Sequence, residues 1–179
     1  MDTKKDFINH INFLKSRGEI ISLVPTMGNL HKGHLSLVEI AKKKSSKVIT
    51  TIFINPLQFG KDEDFESYPR TMNQDISNLN KINCDVLFAP KNKNEVFNNI
   101  ENLKNLKSGP KGNILCGKNR PGHFNGVLKV VYALFQLTHP DVSVFGLKDF
   151  QQLYLIKQMA KIYFPKLKII AAPTIRDKN

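Results

Sequence analysis

The sequence predicts an α/β fold, a doubly wound parallel sheet with helices on both faces. Three observations predict it. Short apolar, β-branched runs such as Ile20-Ile21-Ser22-Leu23-Val24 and Val48-Ile49-Thr50-Thr51-Ile52-Phe53-Ile54 lack the in–out alternation of a half-exposed strand, as expected of strands covered on both sides. Segments with helical spacing alternate with these runs, which is the signature of parallel crossovers. Polar or glycine-bearing clusters follow three of the runs, at the carboxyl edge where open α/β sheets bind ligands.

Each element has its own warrant. Residues 4–15 carry Phe7, Ile8, Ile11 and Leu14 on one helical face, with Gly18 as a stop. The first strand, at residues 20–24, leads through a glycine-bearing loop into a helix patterned by Leu35, Leu37, Val38, Ile40 and Ala41. The second strand ends at Asn55-Pro56. Thr71 is positioned to cap a helix that runs to about residue 82 with Ile76 and Leu79 inward. Residues 86–90 form a third strand. Residues 91–120 are polar and marked by Gly109-Pro110 and Gly112-Asn113, so they read as mostly loop with one short strand at Ile114-Leu115. A helix from Asn125 or Gly126 to about Thr138, a strand at 142–145, a helix from Asp149 to about Tyr163 and a last strand at 167–170 complete the pattern.

A length of 179 residues suits one domain, residues 1–179. No apolar run approaches the ~20 residues of a membrane span and no signal-peptide core follows the N-terminus, so a cytoplasmic protein is expected. Cys84 and Cys116 cannot build a disulfide framework and are expected as reduced thiols, one of them buried. The formal charge of +12 raises nucleic-acid binding. However, only Arg17, Arg70, Arg120 and Arg176 among 27 basic residues are arginine, and the lysines are scattered rather than interleaved with aromatics. A solvated lysine-rich surface, with no specific nucleic acid, is the simpler reading.

The stretch Pro25-Thr26-Met27-Gly28-Asn29-Leu30-His31-Lys32-Gly33-His34 joins the first strand to its helix. Unpaired N–H groups and a positive dipole at a helix start welcome an anion. Gly28 and Gly33 permit close backbone approach. His31 and His34, three apart, can share a face and aim ring N–H groups at one phosphate. Alone, the motif fits two surface histidines at a helix start equally well. A zinc pair is the third reading, but His10, His123, His139, Cys84 and Cys116 supply no clustered ligands to complete a tetrahedron, and no protein-bound metal is expected.

Taken together, Pro25-Thr26-Met27-Gly28, His31-x-Gly-His34, Ile54-Asn55-Pro56-x-Gln58-Phe59, Tyr68-Pro69-Arg70-Thr71, Arg120-Pro121-Gly122-His123-Phe124 and Lys148-Asp149-Phe150-Gln151-Gln152 resemble the pantoate–beta-alanine ligase family. The match in order and approximate spacing runs from about Ile20 to Arg176. The resemblance implies a Rossmann-like nucleotidyltransferase fold with the His-x-Gly-His motif, in a cytoplasmic homodimer. It also implies a ligation in which pantoate attacks the α-phosphate of ATP and β-alanine then displaces AMP, with Mg²⁺ accompanying ATP. It assigns Met27, Gly28, Asn29, Leu30, His31, Lys32, Gly33 and His34, with Gly146, Leu147, Lys148 and Asp149, to ATP. His34, His31 and Lys148 become the catalytic set, with His34 as proton donor. Gln58 falls at the position for pantoate and β-alanine and Gln152 at that for pantoate. The direction in which the pKa of His34 moves is open, because phosphate favours its cation and the helix dipole opposes it.

Leu147 stands where the family usually has glutamate, and Lys118-Asn119 replaces smaller residues before Arg120. The segment from Pro173 to Asn179 resembles the one just before the family's Ser-Ser-Arg nucleotide loop, which leads to an expectation that the second, smaller domain is absent and that turnover is poor. Lys44-Ser45-Ser46-Lys47 does not substitute for that loop, since it precedes a strand and falls at the opposite, amino edge of the sheet.

Overall fold

The computed structural model describes residues 1–60, 63 and 65–176. Asp177, Lys178 and Asn179, which end the segment likened to the approach to the nucleotide loop, lie outside the described residues. Among the described residues five parallel strands form one sheet: β1 (Ile21–Thr26), β2 (Lys47–Ile52), β3 (Val86–Phe88), β4 (Val142–Gly146) and β5 (Lys168–Ala172), in the order β3-β2-β1-β4-β5. The chain winds outward from β1 to β3 and then returns to start the other half beside β1, so the topological switch point lies between β1 and β4.

Among the described residues seven α-helices connect and cover the strands: α1 (Lys4–Ser16), α2 (Lys32–Lys42), α3 (Met72–Lys81), α4 (Asn94–Phe97), α5 (Cys116–Asn119), α6 (His123–Thr138) and α7 (Phe150–Tyr163). Strand alternation divides the core. Ile21 and Leu23 of β1, Ile49 of β2 and Phe145 of β4 meet α1, α6 and α7, whereas Val24, Val48, Ile52, Val142 and Val144 face α2 and α3. At the amino edge the Asp141 and Asp85 carboxylates accept the N–H groups of Ile21 and Val48, at 2.8 and 2.9 Å, and so tie off the strand starts.

Four elements differ from the sequence reading. In α3, Leu79 is buried, but Ile76 is 39% exposed and Asp75 is turned inward instead. Thr71 occupies the cap position without a capping bond, and its hydroxyl donates to Asp75 Oδ2 at 3.1 Å. Ile114 and Leu115 form no strand: Leu115 is 70% exposed with φ of +50°, and the chain turns there into α5. An apolar dipeptide has no extended structure to join when no sheet edge lies beside it. The 91–120 segment also contains α4 and short 3₁₀ turns, and α6 begins at His123, before the expected Asn125. Of the thiols, Cys84 is half-buried and Cys116 is exposed.

The sheet itself opens the functional crevice. β1 pairs with β4 only at Ser22↔Val142 and Leu23↔Ser143, while β1 stays paired with β2 through Thr26 and β4 with β5 through Gly146. Beyond those two pairs the central strands part. This is also where β1 carries Pro25, which lacks a ladder donor and is tolerated because no β4 partner faces it.

Candidate functional site

The first wall of the crevice is the loop from β1 to α2. Thr26 Oγ1 donates to the Thr51 carbonyl at 2.7 Å and accepts from the Gly28 N–H at 3.2 Å, which pins the loop to β2. Gly28 has φ of +85°, and a Cβ there would lie 3.1 Å from both Asp75 Oδ2 and Ile52 Cγ2, so glycine is required by conformation and by space. Asn29 follows with φ of +53°. The Asn29 and Leu30 N–H groups donate to Asp75 Oδ2 and Oδ1 at 3.0 and 2.7 Å, so these two amides face an internal carboxylate rather than the crevice. Leu30 is buried in the α2–α3 side of the core.

The two histidines form a capping box at the start of α2. His31 is the N-cap residue, and its Nδ1 accepts from the Gly33 N–H at 3.1 Å, while His34 Nδ1 faces the His31 N–H at 3.4 Å. Both Nδ1 atoms are placed as acceptors, so in the neutral tautomer that fits these bonds the proton sits on Nε2, which is left as the ring's donor. The ring centroids are 4.2 Å apart. Burial, followed by the neighbouring His31, pushes the pKa of His34 down to about 4, against the opposing pull of Asp149 and Asp75. In the free protein at neutral pH, His34 is an uncharged N–H donor, which decides the direction that the sequence left open.

The second wall follows β2. Asn55 caps the 3₁₀ turn Pro56–Gln58, its Oδ1 accepting from the Leu57 N–H at 3.1 Å. Fully buried, it donates from Nδ2 to Gln58 Oε1 and to the Gly126 carbonyl, each at 3.1 Å. Gln58 Nε2 then lies 2.9 Å from Met27 Sδ, so the amide is fixed at both ends. Helix α6 passes so close that a Cβ on Gly126 would sit 2.0 Å from the Leu57 carbonyl oxygen. The Gln58 carbonyl also meets His123 Nδ1 at 2.8 Å, and His123 Nε2 lies 3.1 Å from Arg120. Arg120 grips Glu63 with two bonds of 2.6 and 2.8 Å, which hold the Glu63 carboxyl down to about 2. Burial lowers the pKa of His123.

The third wall is the β4–α7 junction. Lys148 Nζ pairs with Asp149 Oδ1 at 2.9 Å, both largely exposed, and Asp149 makes no capping bond at the start of α7. Gln151 staples the neighbouring loop: its Nε2 donates to the Lys111 and Ile114 carbonyls at 2.9 and 2.7 Å, and its Oε1 accepts from the Cys116 N–H at 3.1 Å.

Two adjoining cavities lie between these walls. One, of about 180 Å³, is lined by Met27, His34, Gln58, Gly146, Asp149 and Gln152 among others; the second, of about 740 Å³, shares Met27, Gln58, Asp149 and Gln152 and adds Lys148, Arg120 and His123. The structure thus brings together seven of the residues singled out from sequence: Met27, His34, Gln58, Gly146, Lys148, Asp149 and Gln152. Gly28 lines a different cavity, of about 490 Å³, together with Asp75. Asn29, Leu30, His31, Lys32, Gly33 and Leu147 line none of the three. Sequence reasoning assigned no role to Asn55, Asp75, Tyr68 or Gln151. Tyr68, which lines both crevice cavities, stands in a quoted motif, whereas Asp75 had only its spacing of four from Thr71 as a signal.

The sequence model of pantoate-beta-alanine ligase matches residues 1–179. The chain belongs to that family. Pantothenate synthetase of Ruthia magnifica is 48% identical over 169 residues, covering 94% of this chain and 60% of the relative; the Acinetobacter baylyi protein is 45% identical with the same coverage. The Francisella tularensis pantoate-beta-alanine ligase, solved in complex with beta-gamma ATP and beta-alanine, superposes with a TM-score of 0.89 at 42% identity, over 99% of this chain and 67% of its own. The Thermus thermophilus pantothenate synthetase gives 0.86 at 35% identity, over 99% and 62%. The chain spans about 60% of the length of the curated relatives it matches. The pantoate-beta-alanine ligase fold, a Rossmann-like α/β sheet, is the one described above.

Proposed function

We propose that the chain binds ATP and pantoate for a two-step ligation of pantoate to β-alanine. The observation that carries the reading is the crevice at the switch point, where His34, Gln58, Asp149 and Gln152 line one cavity directly beyond the point at which β1 and β4 part. In the first step a pantoate carboxylate oxygen attacks the α-phosphorus of ATP, forming pantoyl adenylate as pyrophosphate leaves. In the second, the free amine of β-alanine attacks the acyl carbon, the acyl–phosphate bond breaks, and AMP departs with pantothenate formed.

Such transfers ask chiefly for positioning and for stabilisation of phosphate charge. The Nε2–H groups of His31 and His34 and the Lys148 ammonium supply donors at the nucleotide. A bound phosphate draws the pKa of His34 back up, which lets the ring gain a proton and donate it as negative charge moves to the leaving group. Gln58 and Gln152 hold pantoate as neutral amides, so they orient its hydroxyls and carboxylate without the lowered nucleophilicity that an arginine pairing imposes. Gln58 also faces β-alanine. The remaining loop residues, from Gly28 to Gly33 and at Leu147, shape the nucleotide side.

Mg²⁺ retains several waters and binds mostly through substrate phosphates. Among the described residues no cluster of three or more His, Cys, Asp or Glu side chains is gathered for a metal. In this reading the ion arrives with the triphosphate, whose charge it neutralises. The same reading makes the enzyme a cytoplasmic homodimer, and light scattering tests the dimer. No helix among the described residues is long and apolar enough to cross a membrane.

The test is AMP release from ATP and pantoate by the full-length enzyme. Release of AMP with pantothenate formation that requires β-alanine supports the ligase. Transfer of the nucleotidyl group to a mononucleotide instead identifies a different His-x-Gly-His nucleotidyltransferase. Salt-sensitive RNA or DNA binding that survives His34→Ala and is not competed by ATP favours a nucleic-acid module.

A further inference from the structure

We infer that Asp75 is the positioning residue that presets the nucleotide loop, acting from α3 as an internal anion around which the backbone at Asn29 and Leu30 is wrapped. Its carboxylate is 1% exposed and receives three donors: the Asn29 N–H at 3.0 Å, the Leu30 N–H at 2.7 Å and the Thr71 hydroxyl at 3.1 Å. A buried carboxylate is tolerated only with such compensation. Two of the three donors are consecutive backbone amides 45 or more residues away, in the loop that joins β1 to α2. Consecutive N–H groups that converge on one anion form a nest, and such a turn needs left-handed backbone angles, which Gly28 and Asn29 supply.

The same helix holds the loop a third time, through Asn78 Nδ2 and the Leu30 carbonyl at 3.4 Å. Immediately beyond these anchors His31 enters the N-cap position and the histidine capping box begins. The carboxylate therefore fixes where α2 starts and, through it, where the two Nε2–H donors point. It also occupies two amides that a phosphate would otherwise take, which leaves anion contact to the histidine rings and the first turn of α2. Asp75 does not touch the nucleotide; it acts through the loop. Its effect on ligand binding rests on the nucleotide assignment of that loop, whereas its hold on the loop can be measured without any ligand.

Amide hydrogen exchange in the unmodified protein comes first. The Asn29 and Leu30 amides are expected to be protected at least tenfold relative to intrinsic rates, and exchange at unprotected rates overturns the proposal. In Asp75→Asn, which keeps the side-chain size but loses an acceptor, these amides are expected to exchange at least tenfold faster while Leu23 and Val24 in β1 are unchanged. The same variant should bind MgATP at least tenfold more weakly and pantoate within twofold of the unmodified protein. Equal loss of both ligands reduces Asp75 to a general structural role, and loss of neither removes its role; either result overturns the inference. Thr71→Val, which leaves both loop amides on the carboxylate, should keep MgATP binding within threefold. If Asp75→Asn does not fold, the exchange rates in the unmodified protein decide. If MgATP binding proves indifferent to His34→Ala, the nucleotide reading fails, and the exchange rates still decide whether Asp75 holds the loop.

Discussion

The first and second walls of the crevice reach rigidity by different means. In the first, the β1–α2 loop that we assign to the nucleotide, order comes mainly through the backbone, with amides on the Asp75 carboxylate and on the rings of His31 and His34. In the second, which we assign to pantoate, the order comes from side chains. Asn55 fixes the Gln58 amide, Gly126 lets α6 press against the turn, and Arg120 clamps Glu63. The difference teaches that the first wall depends on loop conformation and on the uncharged ring of His34, while the second depends on close packing around a buried amide. If so, the walls can be damaged separately.

The largest effect is expected from packing. Gly126→Ala drives a Cβ to 2.0 Å from a backbone oxygen that cannot rotate away. Urea unfolding should show a loss at the upper end of the roughly 1–3 kcal/mol typical of overpacking, or more. An unchanged midpoint would mean that α6 does not set the second wall. Next comes Asn55→Ala, which frees Gln58 Oε1 and removes the side-chain donor from the Gly126 carbonyl. Calorimetry should find pantoate bound roughly 5- to 30-fold more weakly, the equivalent of about 1–2 kcal/mol, with MgATP affinity within twofold.

A smaller effect tests the neutral histidine. His34 has a folded pKa of about 4 against an ordinary 6.5, so the unfolded chain binds more protons between those values. Stability should therefore be full above about pH 6.5, fall as the pH drops towards 4, and level off below it. Because the ring is only partly buried, the loss is on the order of 1 kcal/mol. Burial also depresses His123 and His139, which add in the same direction. Urea midpoints from pH 7.5 to 4.5 should slope less in His34→Gln, and an identical slope would remove His34 from the acid response. The smallest effect is that of Glu63→Gln. This ion pair is partly exposed, so stability should change by less than about 1 kcal/mol, and less still in high salt. A larger loss would transfer the main support of the second wall from Asn55 to the Arg120 clamp.

Much of this was legible because it is local. A strand, a glycine turn and a histidine pair within fifteen residues can be read along the chain, and so can the placement of Gly146 at the end of β4 and Asp149 just beyond it. The supports were hidden because they are distant: Asp75 meets Leu30 across 45 residues, and Asn55 meets Gly126 across 71. Apolar periodicity placed Ile76 inward and could not anticipate that α3 spends that register on a carboxylate. Gln58 and Gln152 alone read as exposed loop amides, and only the resemblance singled them out; Gln58 proves to be 8% exposed. Leu115 failed as a strand residue because an extended preference has no outlet without a neighbouring edge.

The separability of the walls is tested most directly by titrating MgATP and pantoate into His34→Ala and Asn55→Ala in parallel. The expected pattern is crossed. His34→Ala should weaken MgATP about 10- to 100-fold, the effect of removing a hydrogen bond to a charged group, and leave pantoate within twofold. Asn55→Ala should do the reverse. Parallel losses of both ligands in either variant, or no loss of MgATP in His34→Ala, would contradict a crevice whose first and second walls are ordered independently.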